Sequence, residues 1–195
     1  MKILVVYDSK LGSVKQMARL IARGIESVDG AEAIVRCVPE IFIGSESSMD
    51  ASEVGDLEAT TNDLKSIDGL IVGSPTRFGN MSASMKHFLD STSSLWMAGT
   101  LSGKPAAVFT SSSSMHGGQE STLLSMLNPL LHHGMLFCGL PYSEPALGKT
   151  TSGGTPYGAS HVAGSSNTNP ISADEKALCI ALGKRVTVIA GKLKS

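Results

Sequence analysis

This chain has few cysteines, few aromatic residues, no excess of either charge and no long apolar run. Each shortage removes a class of protein. Cys37, Cys138 and Cys179 lie far apart with no C-x-x-C pair. An odd, scattered set of thiols fits buried residues in a reducing compartment better than a disulfide framework or a zinc site, so no metal is expected. Lys plus Arg number 16 and Asp plus Glu 17, a net charge of −1. That balance supplies no bulk field for nucleic acid or an anionic membrane surface. Aromatics make up 5%, against 21 glycines, so turns and small-residue packing account for much of the chain. No apolar run approaches the roughly 18–20 residues that a bilayer span requires. The opening Met1-Lys-Ile-Leu-Val-Val-Tyr7 is too short for a signal core, and Asp8 follows without a small-residue cleavage site. It reads as a first strand, and the protein as cytoplasmic. No Walker lysine pattern is present and no G-x-G-x-x-G follows that strand, which argues against a nucleoside triphosphate loop and a standard dinucleotide fingerprint. A hydrolase role lacks its G-x-S-x-G elbow.

What remains is a regular alternation. Short apolar runs at residues 3–7, 33–38, 69–73, 106–110 and 135–140 read as strands covered on both faces. Val14, Met17, Ala18, Ile21, Ala22 and Ile25 form a helical stripe between the first two runs. Residues 81–89 and 120–132 also read as helices. A last helix over 172–193 carries Leu178, Leu182, Val186, Ile189 and Leu193 on one side and opens on a Ser172–Glu175 capping box. Strands alternating with helices predict an α/β fold with a doubly wound, five-stranded parallel sheet of order 2-1-3-4-5 and helices on both faces. The 195 residues suit a single domain over 1–195. Two stretches exceed a minimal α/β unit. From Cys37 to Leu64 there is no Lys or Arg, while Glu46, Asp50, Glu53, Asp56 and Glu58 make an acidic, mobile excursion expected over 39–64. Residues 148–169 are rich in Gly, Ser and Thr and read as a long loop.

Three strand-following loops carry the chemistry. Asp8-Ser-Lys-Leu-Gly-Ser-Val14 enters the first helix, where the hydroxyls of Ser9 and Ser13, Gly12 and free amides form an anion cradle suited to phosphate. Ser9 or Ser13 acting only as a helix cap is the plainer alternative. Gly73-Ser-Pro-Thr-Arg-Phe-Gly-Asn-Met81 follows the third strand, with fixed backbone, a hydroxyl and one planar cation. Thr110-Ser-Ser-Ser-Ser-Met-His-Gly-Gly118 follows the fourth. At the switch point of a 2-1-3-4-5 sheet these loops meet in one crevice. A phosphate on the first and a flat ring against the other two describe flavin mononucleotide (FMN). A phosphorylated receiver domain, which shares this sheet order, needs an Asp where this chain has Gly73-Ser74.

The chain resembles the WrbA-type, flavodoxin-like FMN-dependent NAD(P)H:quinone oxidoreductases. The residues that carry the likeness are Ser9-x-x-Gly12, Gly73-Ser-Pro-Thr-Arg-Phe-Gly-Asn-Met-Ser82, Phe88-Leu-Asp90 with Leu95-Trp96, Gly117-Gly-Gln-Glu120, His132-His-Gly-Met135 and Gly153-Gly-Thr-Pro-Tyr-Gly158. They run across nearly the whole chain. The resemblance implies that Ser9, Lys10, Leu11, Gly12, Ser13 and Val14 hold the FMN phosphate. Pro75, Thr76, Arg77, Phe78 and Gly79 would border the isoalloxazine. Ser111, Ser112, Ser113, Ser114, Met115, His116 and Gly117 would line its other side, with His132 beside the ring. Trp96 would reach over the flavin of a neighbouring subunit in a homotetramer (a dimer of dimers) and shape a pocket for a flat quinone. Two electrons would pass from NADH or NADPH to the quinone by a ping-pong mechanism, His132 assisting proton balance. Where this chain has Leu11 the family often carries a Tyr associated with nicotinamide contact, and a His common in the same loop is Ser13 here. The alternatives are a flavodoxin-type electron carrier, for which a net charge of −1 is unusually small, and an FMN-binding regulatory or interaction protein.

Overall fold

The computed structural model describes residues 1–41 and 56–194. Strands β1 (Lys2–Tyr7), β2 (Glu32–Cys37), β3 (Gly69–Pro75) and β4 (Pro105–Ser112) pair in parallel in the order β2-β1-β3-β4. The register sets Leu4 beside Ile34 on one side and Leu70 on the other, and Leu70 beside Ala106. Side chains of a strand alternate between faces, and both faces here are apolar. Ile3, Val5 and Tyr7 enter one core under helices α1 (Ser13–Glu26) and α6 (Ala173–Lys194), while Leu4 and Val6 enter the other. The second core is closed by α2 (Ala83–Asp90), α3 (Ser93–Met97) and α4 (Gln119–His132). The parallel sheet of order 2-1-3-4-5 with helices on both faces is therefore as the sequence predicts.

The fifth position differs from expectation. The run at 135–140 supplies only β5 (Leu136–Phe137), paired with Pro105 and Ala106 of β4. The chain then leaves β4, passes through α5 (Pro145–Lys149) and returns as β6 (Ala159–Val162), which pairs with Phe109 through Ser112. Two short strands thus share one sheet position, and the stretch read as a loop over 148–169 contains a strand. Its sequence, Ala-Ser-His-Val, hides the strand because its two central residues are polar yet buried. Smaller shifts follow capping. α2 begins at Ala83 because Ser82 caps it, accepting from the Met85 amide, and Trp96 sits on the short helix α3. Within the acidic stretch, Ala59 and Leu64 are buried; at the edge of β2 the Cys37 amide donates to the Leu57 carbonyl and the Ala59 amide to the Cys37 carbonyl. Tyr7 and Arg19 both bond Asp56. Residues 42–55 of that stretch lie outside the described residues.

Helices α1 and α6 cross at very short range. A Cβ on Gly183 would lie 2.1 Å from the Ile21 carbonyl oxygen, and one on Gly24 2.1 Å from that of Ile180. Backbone cannot yield as a side chain tip can. Gly183→Ala is therefore expected to lower unfolding free energy by about 1–3 kcal/mol, read as a reduced urea midpoint. An unchanged midpoint would contradict the close approach.

Candidate functional site

The carboxyl ends of β1, β3 and β4 open onto a solvent-accessible cavity. The first loop contributes Ser9, Lys10, Leu11, Ser13 and Val14 to its lining, the second Pro75, Thr76 and Arg77, and the third Ser111, Ser112 and Ser113. The three loops predicted to converge do so. At the floor lies the start of α1. Gly12 occupies the cap position with φ +89, where a side chain would be strained, and offers no side-chain cap. Ser9 Oγ accepts from the Lys15 amide at 3.1 Å, and the Gln16 amide donates to the Gly12 carbonyl. The amides of Ser13 and Val14 donate to no described residue. There is also no acidic residue in the first turn. Unsatisfied amides at the positive end of a helix, without a competing carboxylate, make a site for an anion. These residues fit the phosphate of FMN.

The second and third loops are locked together. Thr76 Oγ1 and Thr122 Oγ1 lie 2.6 Å apart, and the Thr76 amide donates to the Ser111 carbonyl at 3.0 Å. Gly79 and Gly118 both hold positive φ, and a Cβ on Gly118 would come within 2.8 Å of the Gly79 Cα. Residues 77–80 close a tight hairpin, the Arg77 and Asn80 backbones exchanging bonds, with Phe78 at φ +54 and Gly79 at φ +75. Positive φ at both central residues is a type I′ turn, in which Phe is an unusual occupant. Phe78 is fully exposed at its tip and does not line the cavity. In the third loop Ser112 Oγ donates to the Ser114 carbonyl at 2.7 Å, and the amides of Ser113, Ser114, Met115 and His116 donate to no described residue. The side chains of Met115 and His116 are exposed, and Gly117 turns the chain back onto the Ser114 carbonyl.

His132 and Trp96 lie elsewhere. α4 starts beside Thr76 and runs 14 residues, so His132, its last residue, sits about 20 Å along the axis. Its carbonyl accepts from Trp96 Nε1 at 2.8 Å. His132 therefore does not line this chain's cavity. The neighbouring His133 is the structural member of the pair: it is buried, bonded through Nε2 to Thr92 Oγ1 at 2.8 Å, and burial lowers its pKa.

The sequence reading missed a fourth wall. Ala163, Gly164, Ser165 and Asn167 line the cavity from the segment after β6. Ser13 Oγ donates to Asn167 Oδ1 at 2.8 Å, and Asn167 Nδ2 donates to the Leu11 carbonyl at 2.9 Å. Behind this wall Glu175 is 1% exposed. Its capping box with Ser172 forms as the sequence suggests, the Ser172 amide donating at 2.8 Å and Ser172 Oγ accepting at 3.2 Å. The same carboxylate also accepts from His161 Nδ1 at 2.9 Å and from the amides of Gly153 and Val162 at 2.8 and 3.0 Å. Burial pushes the Glu175 carboxyl up, but these hydrogen bonds outweigh it and hold the pKa down at about 2.

Fold and site together define a flavodoxin-like α/β protein with a cavity at the sheet's switch point, lined by three strand-following loops and the start of α1. Residues 1–143 match the family described as NADPH-dependent FMN reductase. The chain is 46% identical over 202 residues to the NAD(P)H dehydrogenase (quinone) of Syntrophobacter fumaroxidans, covering 99% of this chain and 98% of that one. It is 44% identical over 207 residues to the protein of the same name from Geobacter sulfurreducens, covering 99% of each. Among solved structures, a flavodoxin, WrbA-like protein from Agrobacterium tumefaciens superposes with a TM-score of 0.68 at 24% identity over 98% of both chains. A flavodoxin from the domain Archaea gives 0.64 at 22% identity over the full length of both. These two likenesses carry the fold. The chain belongs to the NADPH-dependent FMN reductase family, and the resemblance to WrbA-type quinone oxidoreductases is borne out.

The depressed pKa of Glu175 has a consequence in acid. The folded value of about 2 lies below the ordinary 4.5. Its stabilisation is therefore complete above pH 4.5 and lost as pH falls toward 2, amounting to about 3 kcal/mol. Glu175→Gln should flatten the decline of unfolding free energy across that window, measured by urea unfolding at stepped pH. An equal slope in both proteins would contradict the assignment.

Proposed function

We propose that this protein is an FMN-dependent oxidoreductase that transfers two electrons from NADH or NADPH to a quinone by a ping-pong mechanism. The observation that carries the reading is the cavity at the carboxyl ends of β1, β3 and β4, with the unsatisfied amides of Ser13 and Val14 at its floor. The names of the full-length relatives at 44–46% identity support the donor and the acceptor. FMN, when bound, takes two electrons from the reduced coenzyme and passes them to the quinone.

The chain's own residues bind and orient. Ser13 and Val14 amides and the positive end of α1 neutralise the phosphate. The Thr76–Thr122 contact and the bond from the Thr76 amide to the Ser111 carbonyl hold the second loop against α4 and the third loop as one wall, against which a flat ring would rest. Uncommitted amides of the Ser113–His116 segment would supply donors toward the ring, and preorganised donors of that kind stabilise developing negative charge. Leu11, 71% exposed at the cavity mouth, leaves an apolar, non-aromatic edge on the coenzyme side. One open face serving both substrates in turn is the basis of the ping-pong order.

A homotetramer is supported by Trp96, Met97 and Leu131, exposed apolar side chains on α3 and the end of α4. Three free cysteines suit a reducing cytoplasm. Among the described residues no helix is long and apolar enough to cross a membrane.

FMN-loaded protein mixed anaerobically with NADPH or NADH, then with benzoquinone, should lose its flavin absorbance and regain it fully, and steady-state double-reciprocal plots should be parallel. No response to either coenzyme would contradict the oxidoreductase, and converging plots the ping-pong order. Leu11→Tyr should lower KM for the coenzyme about 2- to 12-fold with kcat nearly unchanged, the worth of one aromatic stacking contact. An unchanged KM would remove Leu11 from the coenzyme surface.

A further inference from the structure

We propose that Glu175 is a positioning residue of the cofactor-phosphate site, holding the Ala163–Asn167 wall so that Asn167 clamps the Ser13 end of the cradle. The proposal rests on the reading that FMN phosphate occupies the start of α1. It concerns residues of α6 and of the segment after β6, which contribute nothing to the three loops that define the cavity in sequence.

The connection is continuous. Glu175 accepts from the Val162 amide at 3.0 Å and from the His161 ring at 2.9 Å, which anchors the last two residues of β6. The next residue, Ala163, donates its amide to the Ser112 carbonyl at 2.8 Å, tying the wall to the third loop. Asn169 closes the wall on itself, its amide donating to the Ala163 carbonyl at 3.0 Å and its side chain to the Val162 carbonyl at 3.1 Å. Between these ties stands Asn167, at φ +56, a left-handed conformation that Asn tolerates better than most residues. Its amide group reaches both the Leu11 carbonyl and the Ser13 hydroxyl, 156 and 154 positions away in sequence. Within the first loop only Ser9 caps α1, through the Lys15 amide, and no side chain of that loop bonds Leu11 or Ser13. Asn167 therefore supplies the polar contacts that hold Leu11 and Ser13 in place, leaving the Ser13 and Val14 amides facing the cavity.

Only a carboxylate serves at position 175. Its four donors are His161 Nδ1 and the amides of Gly153, Val162 and Ser172. An ionised carboxyl accepts all of them, whereas a side-chain amide has a single acceptor oxygen and would turn its own N–H groups toward two donors. All four bonds are buried or partly buried, so the mismatch is not relieved by water. The anchor of β6 would loosen, and Asn167 with it.

A comparison of FMN with riboflavin, which lacks the phosphate, isolates the effect. In titrations of apo-protein followed by flavin fluorescence, wild type should bind FMN well above riboflavin. Glu175→Gln should weaken FMN at least tenfold while riboflavin changes less than twofold. Asn167→Gly, which keeps a backbone free to hold φ +56, tests the far end of the same connection in an accessible loop and should give the same selective loss. The double variant should be no worse than the more affected single one, because both act along one path. Wild-type FMN preference in Asn167→Gly, or equal weakening of both flavins in either variant, would overturn the positioning role. A wild-type protein that binds the two flavins equally would instead overturn the phosphate reading on which the proposal rests.

Discussion

The start of α1 is the constraint on which the rest depends. A helix leaves its first amides without internal partners, and in most helices a Ser, Thr, Asp or Asn cap or an acidic first turn satisfies or shields them. Here the cap position is Gly12 and the first turn carries no acid, so the Ser13 and Val14 amides remain open. That arrangement leaves the amides available to water or to a bound anion. The parallel sheet places the arrangement: β1 delivers α1 to the same edge at which β3 and β4 end. Burial of both sheet faces keeps that edge rigid.

Around the cradle, each loop is held by a partner distant in sequence. The second loop leans on α4 through Thr76 and Thr122, and Gly79 and Gly118 touch where no side chain fits. Gln119, buried at the start of α4, donates to Ser112 Oγ at 2.8 Å and accepts from Ser160 Oγ at 2.6 Å, so the third loop and β6 are tied through one side chain. Glu175 completes the set from α6. The polar residues buried at this end of the sheet are bonded to one another, which keeps them from destabilising the core.

The fold was legible in the sequence because its signals are local. Each of β1, β3 and β4 is a short apolar run bounded by turn residues, and α1 carries an uninterrupted stripe from Val14 to Ile25. The three loops of the site were legible for the same reason. β6 was not: Ser160 and His161 look like loop residues, and their burial depends on partners that include Gln119 and Glu175, 41 and 14 positions away. The capping box revealed one of the roles of Glu175, but a pattern of four residues carries no trace of the carboxylate's other partners. Asn167 was invisible likewise, since its partners are at the opposite end of the chain. His132 and Trp96 entered through resemblance alone, and the length of α4 sets them far from this chain's cavity.

The central claim is that the anion sits on the open amides of α1. Amide resonances followed during titration of the labelled apo-protein with FMN test it most directly. The account predicts that the largest downfield proton shifts belong to Ser13 and Val14 and that riboflavin leaves them nearly unmoved. Equal shifts with both flavins, or FMN-induced shifts concentrated away from the first loop, would contradict it.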